Sequence, residues 1–406
     1  MKGFTKFFVA FSLFAFAKTQ SVQAQTAVCV DGHDPITGQK CANAVTSAVA
    51  FLRINPDARG GSMGDVGIAT SADANSMHYN PSKIAFADKN LSISATYTPW
   101  MRALGLNDVY IAYLAGYKKI DKRQGIGFGL RYFSLGNIDF TNNAGESLGS
   151  GKPNEFEVTG GYSRKLSEKL SVGLAGKFIY SNLASNQQVD GVQIKPGKAG
   201  AADFSLTYKS PIQKNKSDYT IGLALQNIGS KITYTNSVNK EYIPANFGLG
   251  LAYHTKLDEF NSLTFSADLN KLMVPTPCRD SDPTVCDTDG DNIPDYKQYS
   301  IVRSIGKSWS DAPGGFSEEM KEFTYAVGAE YWYDDQFAVR AGYFYEHYSK
   351  GNRKYFTVGL GVKYNIFGLN FSYLVPTTNQ RNPLDNTLRF SLIFDFDALS
   401  ADESNQ

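Results

Sequence analysis

Leu388-Arg389-Phe390-Ser391-Leu392-Ile393-Phe394-Asp395-Phe396 is the stretch that decides the fold. Leu388, Phe390, Leu392, Phe394 and Phe396 recur at every second position, with Arg389, Ser391 and Asp395 between them. A period of two belongs to a β-strand, whose successive side chains leave opposite faces. One face here is greasy and the other charged, with Ile393 the one apolar residue on the charged side. Such a strand suits a wall between hydrocarbon and a polar interior.

The same pattern recurs upstream in segments of about ten residues, the length of a tilted transmembrane strand. Fourteen are predicted: 90–98, 108–118, 124–134, 154–164, 170–180, 200–209, 218–226, 246–255, 261–270, 323–333, 337–347, 354–364, 366–375 and 386–396. A soluble β-sandwich would also alternate, so the connections carry the decision. Those after even-numbered strands are short: 119–123, 165–169, 210–217, 256–260, 334–336 and Asn365. Those after odd-numbered strands are mostly longer: 99–107, 135–153, 181–199, 227–245, 271–322, 348–353 and 376–385. Short periplasmic turns alternating with longer outer loops mark a bacterial outer-membrane barrel. The fold class is therefore all-β, a transmembrane antiparallel barrel of about fourteen strands over 90–396. An even strand number puts both termini in the periplasm, and 271–322 is a long extracellular loop.

The face predicted to line the lumen carries both signs: Arg131, Lys177, Arg340, Lys363 and Arg389 against Glu155, Glu157, Asp203, Asp268, Glu330 and Asp395. Mixed charge favours paired networks that fill an interior over a wide ion-selective pore. Gly125, Gly127, Gly129, Gly248 and Gly250 lie on the same face, where small residues let a plug approach the wall. The reading is a plugged or narrow barrel.

The ends of the chain fit export. Lys2 and Lys6 precede the apolar run Phe7 to Ala17, and Val22-Gln23-Ala24 offers a cleavage site, so 1–24 reads as a signal peptide. Thr26-Ala27-Val28 before Cys29 lack the leucine and the small preceding residue of a lipidated cysteine. After Ala17 no apolar run approaches the ~20 residues of a spanning helix. A membrane form must then be a barrel. Forty basic residues against 39 acidic leave no footprint for nucleic acid. The tail 397–406 is acidic and polar, whereas outer-membrane barrels commonly end on an aromatic residue such as Phe396.

Residues 25–89 precede the first strand and lack sustained alternation, which predicts a periplasmic segment and a hatch. Its informative run is Phe51-Leu52-Arg53-Ile54-Asn55-Pro56-Asp57-Ala58-Arg59-Gly60-Gly61-Ser62-Met63-Gly64-Asp65, continuing to Met77-His78-Tyr79-Asn80-Pro81-Ser82-Lys83-Ile84-Ala85-Phe86-Ala87. Asn80-Pro81 is a turn signal. The run from Phe51 to Ala87 resembles the N-terminal signature of the PorV (LptO) family and its PorQ-like relatives, outer-membrane proteins of the Bacteroidetes type IX secretion system. Asn80-Pro81-Ser82 is similar to the hatch motif of FadL-type fatty-acid transporters. The resemblance implies a FadL-like fourteen-stranded barrel that sits among outer-membrane lipids and associates with the secretion translocon barrel. It further implies binding of cargo C-terminal signal domains and delivery to a sortase-like attachment complex. A FadL-like transporter of hydrophobic small molecules is the alternative, and it would require a greasy pocket under the outer loops and a gap in the wall.

Four cysteines form two close pairs, Cys29/Cys41 and Cys278/Cys286, which in an exported chain predict local disulfides. Zinc would need His or acidic partners that the nearby sequence does not supply at metal spacing. After the second pair comes Asp287-Thr288-Asp289-Gly290-Asp291-Asn292-Ile293-Pro294-Asp295. Carboxylates at relative positions 1, 3, 5 and 9, with the Ile293 carbonyl at 7, reproduce the spacing of a calcium loop. Gln298 stands where a bidentate glutamate is usual, so the run is closer to short extracellular aspartate repeats than to an EF-hand. A solvated acidic loop would carry the same residues.

No catalytic constellation is read. The histidines are His33, His78, His254 and His347, and no G-x-S-x-G, H-E-x-x-H or Walker motif occurs. Gly125-Ile126-Gly127-Phe128-Gly129 is strand alternation without the helix a dinucleotide site needs.

Overall fold

Alternation over strands of this length closes the chain into a barrel. The computed structural model describes residues 43–396, apart from 103–104, 142–144, 146, 185–186, 190–191, 213–216, 236–239, 279–285, 292 and 378–385. The segment 1–24, Cys29, Cys41 and the tail 397–406 lie outside the described residues.

In chain order the strands are β1 (Leu91–Pro99), β2 (Val109–Lys119), β3 (Gln124–Leu135), β4 (Ile138–Thr141), β5 (Ser147–Gly151), β6 (Asn154–Lys165), β7 (Leu170–Asn182), β8 (Gln188–Val189), β9 (Val192–Gln193), β10 (Gly197–Ile212), β11 (Ser217–Gly229), β12 (Asn246–Lys256), β13 (Asn261–Leu272), β14 (Thr324–Tyr333), β15 (Phe337–Tyr345), β16 (Lys354–Tyr364), β17 (Phe367–Pro376) and β18 (Leu388–Phe396). Fourteen of them form one closed antiparallel barrel, each paired with its sequence neighbour and β1 paired back to β18. β4–β5 and β8–β9 are small hairpins within two of the long connections, which alternation in tilted strands did not reveal. Closure satisfies every wall backbone group without an edge, the condition for crossing hydrocarbon with strands. No helix among the described residues is long and apolar enough to cross a membrane.

The fourteen predicted segments are the fourteen barrel strands, with ends shifted by a few residues. The largest shifts surround β10 and β11, which extend to Gly197–Ile212 and Ser217–Gly229. Their ladder also holds an irregularity: Ala202 pairs with Ile228 but Phe204 with Leu225, so Asp203 faces both Gln226 and Asn227. Asn227 has φ 57°, and its N–H donates to Asp203 Oδ1 at 2.7 Å. Such a bulge turns consecutive side chains the same way. Gln226 and Asn227 both use this, as described below.

The outward face carries Leu249, Leu251, Phe265, Val327, Val339, Val358, Leu360, Leu369 and Leu392, all more than a third exposed. Aromatic pairs ring both ends of this band. Tyr97–Tyr110, Tyr110–Tyr132 and Phe156–Tyr180 lie toward the long loops, and Tyr208–Tyr219 and Phe367–Phe394 toward the short turns. This is the apolar belt and double aromatic girdle of a membrane barrel. Ile393, the exception to the alternation of β18, points inward and is 4% exposed.

Residues 43–90 fold as short helical turns, Ala50–Arg53, Ala58–Gly61, Ser76–Tyr79 and Pro81–Phe86, against the inward face of the wall. Small wall residues permit the approach. A Cβ on Gly328 or Gly342 would collide with the backbone of Met63, and one on Gly125 or Gly127 with Ile84. Gly248 and Gly250 stand against Ile68, whereas Gly129 instead accommodates the Tyr113 ring from the neighbouring strand.

Candidate functional site

The interior is built where this N-terminal segment meets the charged face. Asp57 is the N-cap of the turn Ala58–Gly61, accepting from Arg59 N and Gly60 N at 3.1 and 2.8 Å. That turn aims Arg59 at the wall. Its Nε and Nη2 donate to Glu330 Oε2 and Oε1 at 2.9 and 2.7 Å, and Nη1 donates to Asp73 at 3.0 Å. Glu330 also accepts from Arg340 Nε at 2.6 Å, and Arg340 Nη1 donates to Asn370. One buried carboxylate thus holds two guanidiniums, Arg59 in the bidentate manner that arginine favours and Arg340 through Nε alone.

Further contacts lock the segment around the whole wall. Asp268 on β13 accepts from Gly67 N and Ile68 N at 2.7 and 3.0 Å. Arg389 Nε on β18 donates to the Asn55 carbonyl, and Ser391 Oγ accepts from Ala58 N. Arg131 on β3 donates to the Leu52 carbonyl and from Nη2 to His78 Nδ1 at 2.6 Å, a structural use of that histidine. The bulge on β11 sends Gln226 to the carbonyls of His78 and Tyr79, while Asn227 accepts from Lys177 Nζ and donates to the Pro244 carbonyl.

Asn80 and Pro81 sit at the short-turn side, fully buried or nearly so. Asn80 caps the 3-10 turn with Pro81 at its first position, accepting from Ser82 N at 3.1 Å. Its amide donates to the Ile68 carbonyl and to Thr207 Oγ1 on β10 at 2.9 and 3.0 Å. The Asn-Pro-Ser run is therefore a cap that staples the segment both to itself and to the wall.

On the long-loop side of the segment lies a cavity of about 130 Å³, lined among others by Arg53, Asp65, Gln226, Asn270, Arg353 and Arg389. Its lining mixes these charged and amide groups with Leu52, Ile54, Ile68, Pro244 and Phe344.

The long connection after β13 is not a bare loop. It holds helical turns at Asp295–Gln298, Ile301–Lys307, Phe316–Glu319 and Met320–Glu322. Cys278 and Cys286 are joined in a disulfide. Of the predicted ligands, Asp287, Asp289 and Asp295 converge, with carboxylate oxygens within 4.8 Å of one another. Asp291 lies outside that group of carboxylates, and both it and the Ile293 carbonyl accept from Gln298 Nε2. Local desolvation and then the neighbouring carboxylates Asp291 and Asp287 push Asp289 above its ordinary range, against the hydrogen bond it accepts from Asp291 N. Hydrogen bonds from Thr288 hold Asp295 below its own.

With a closed fourteen-stranded barrel, an inner N-terminal segment and an elaborated loop in view, comparison with known proteins is decisive at one point. A family model described as type IX secretion system protein PorV matches residues 37–279, more than half of the chain. The chain belongs to the PorV family. Membership places it in the outer membrane as a component of type IX secretion, with partners in that system. No curated protein matches the PorV-family chain in sequence. Among solved structures it is similar to the Ralstonia pickettii toluene transporter TbuX, at 11% identity and TM-score 0.48 over 84% of this chain and 98% of that one. It is also similar to the P. putida toluene transporter TodX (13%, 0.46, 83% and 98%) and to a Pseudomonas aeruginosa FadL homologue (12%, 0.43, 88% and 100%). Identities this low carry no activity across to a PorV-family protein.

The charges Arg340, Glu330, Asp268 and Arg389 are legible as lumen residues from alternation, but Asp57, Arg59 and Asp73 are not. The sequence signal for Asp57 and Arg59 was a charge pair beside Gly60-Gly61, and Asp73 stood alone in a run of small residues.

Proposed function

We propose that the chain is the cargo-handling barrel of type IX secretion. It binds the C-terminal signal domain of exported proteins and passes them from the translocon barrel to the sortase-like attachment complex. Family membership carries this reading. Two features of the interior support it against transport of hydrophobic molecules. The lumen is filled by residues 43–90, acting as a hatch, and all wall strands are hydrogen-bonded to both neighbours. Work done on cargo then falls to the surfaces outside the lumen, and the long connections, placed extracellularly with both termini periplasmic, supply them. The disulfide-braced loop after β13 is the leading docking element.

Deleting the gene and comparing periplasmic and secreted proteomes tests this. Uncleaved cargo bearing related C-terminal domains should accumulate inside the cell. An unchanged secretome with lost uptake of a hydrophobic compound would instead establish the FadL-like alternative.

In the same loop we propose a calcium ion held by Asp287, Asp289 and Asp295. Three converging carboxylates supply the hard oxygen donors this ion takes, and the ion would stiffen the loop beside the Cys278–Cys286 bridge.

A further inference from the structure

The helix Ile301–Lys307 turns Ile301, Ser304, Ile305 and Ser308 toward the protein and leaves apolar Val302 on the outside. Ser304 and Ser308 are buried, and their hydroxyls close on the carbonyls of Ile301 and Ile305. Val302 is 83% exposed. At helical spacing Val302, Gly306 and Trp309 share one face, Ser304 and Ser308 the opposite one, and Arg303 and Lys307 the flank. Phe316 and Met320, further along the same connection, are also exposed.

Trp309 fixes where that face lies. Its ring is 5.2 Å from Phe247, edge to face, and 6.2 Å from Phe323. Phe247 on β12 and Phe323 just before β14 are the outermost members of the outward rows Phe247, Leu249, Leu251 and Phe323, Tyr325, Val327. Between them Lys271, outward-facing on β13, is only 1% exposed. Trp309 and Phe323 cover its ammonium at 5.9 and 5.5 Å, and Glu319 and Glu322 pair with it. The connection therefore bends over the rim onto the outside of the wall, and Trp309 prolongs the apolar belt.

We propose that Ile301–Glu322 is an interfacial anchor whose occupant is lipid. Val302, Trp309, Phe316 and Met320 enter the headgroup region of the leaflet at the long-loop end, and Arg303 and Lys307 reach lipid phosphates. Three observations favour lipid over a protein: continuity with the belt on β12–β14, a tryptophan at its margin, and cations beside the apolar face. The anchor also keeps a lysine on the outer wall away from hydrocarbon by bringing carboxylates to it.

The test uses the full chain refolded into phosphatidylcholine vesicles containing lipid brominated near the headgroup end of its acyl chains. The difference in quenching between wild type and Trp309→Phe isolates Trp309 from Trp100 and Trp332. Brominated lipid should quench the Trp309 component, and aqueous acrylamide should leave most of it. Equal loss to brominated lipid in both proteins, with acrylamide removing the Trp309 component, would overturn the proposal and leave the face to water or a protein. Val302→Asp with Phe316→Asp, which touches no wall contact, should abolish the lipid quenching; full retention would equally overturn it. Should Trp309→Phe not refold, Val302→Trp reports from the same face.

Discussion

Gly342 and Gly176 both sit in mid-strand, yet they differ in what lies over them. A Cβ on Gly342 would strike the Met63 backbone, whereas on Gly176 it meets nothing within 4 Å. Gly342→Ala should therefore destabilise the barrel by about 1–3 kcal/mol, as overpacking does. Gly176→Ala should leave it unchanged. Thermal unfolding in detergent, followed by heat-modifiable gel mobility, separates the two. Glu330→Ala takes from Arg59 and Arg340 their shared carboxylate, leaving Asp73 to the one and only the neutral Asn370 to the other, and losing one partner of a buried ion group costs about 3–5 kcal/mol. The same melt should fall steeply, with Glu330→Gln milder. Residue-level legibility was partial for a physical reason. Alternation states which way Glu330 points, but Arg59 lies 271 positions away in a turn, and no local period links them. Ile393 broke the alternation in the sequence and proved to be inward packing rather than a fault in the strand.

At the scale of elements, strands were legible because hydrocarbon outside and charge inside force a period of two at each position. The connections obey no such constraint. The helix Ile301–Lys307 and the hairpin β4–β5 went unread, being too short for a period to register. The aspartate run was legible in spacing but not in partners: Gln298 takes Asp291 and the Ile293 carbonyl, leaving three carboxylates together. Calorimetry should record calcium binding of modest affinity, abolished by Asp287→Asn with Asp289→Asn; absence of heat in the wild type removes the site. Because Asp289 sits above its ordinary range, its proton competes with the ion at higher pH than an unperturbed aspartate's would. Affinity should accordingly begin to fall as pH is lowered while ordinary aspartates remain ionised, and titrations at stepped pH check this.

The whole molecule is a wall and a core made by one chain, and the two were read with unequal ease. Strand count, closure and the membrane setting followed from Leu388–Phe396 and its like, while the filled lumen rested on mixed charge and on glycines such as Gly127 and Gly250. Planar-bilayer recording should show no large steady conductance for the wild type, and a constant large current would refute a filled lumen. The β1–β18 seam has a further consequence for assembly. Residues 43–90 lead directly into β1, but the side chains that grip Asn55 and Ala58 from the far side, Arg389 and Ser391, belong to the strand made last. Ser391 also bonds Thr96 across the seam. The grip on residues 43–90, which Arg131, Asp268 and Glu330 share, is therefore completed on this side only by the final strand. The strand that closes the cylinder is thus also one of those that hold its filling, and a chain cut short before Leu388 would lose the seam and the Asn55 and Ala58 contacts at once.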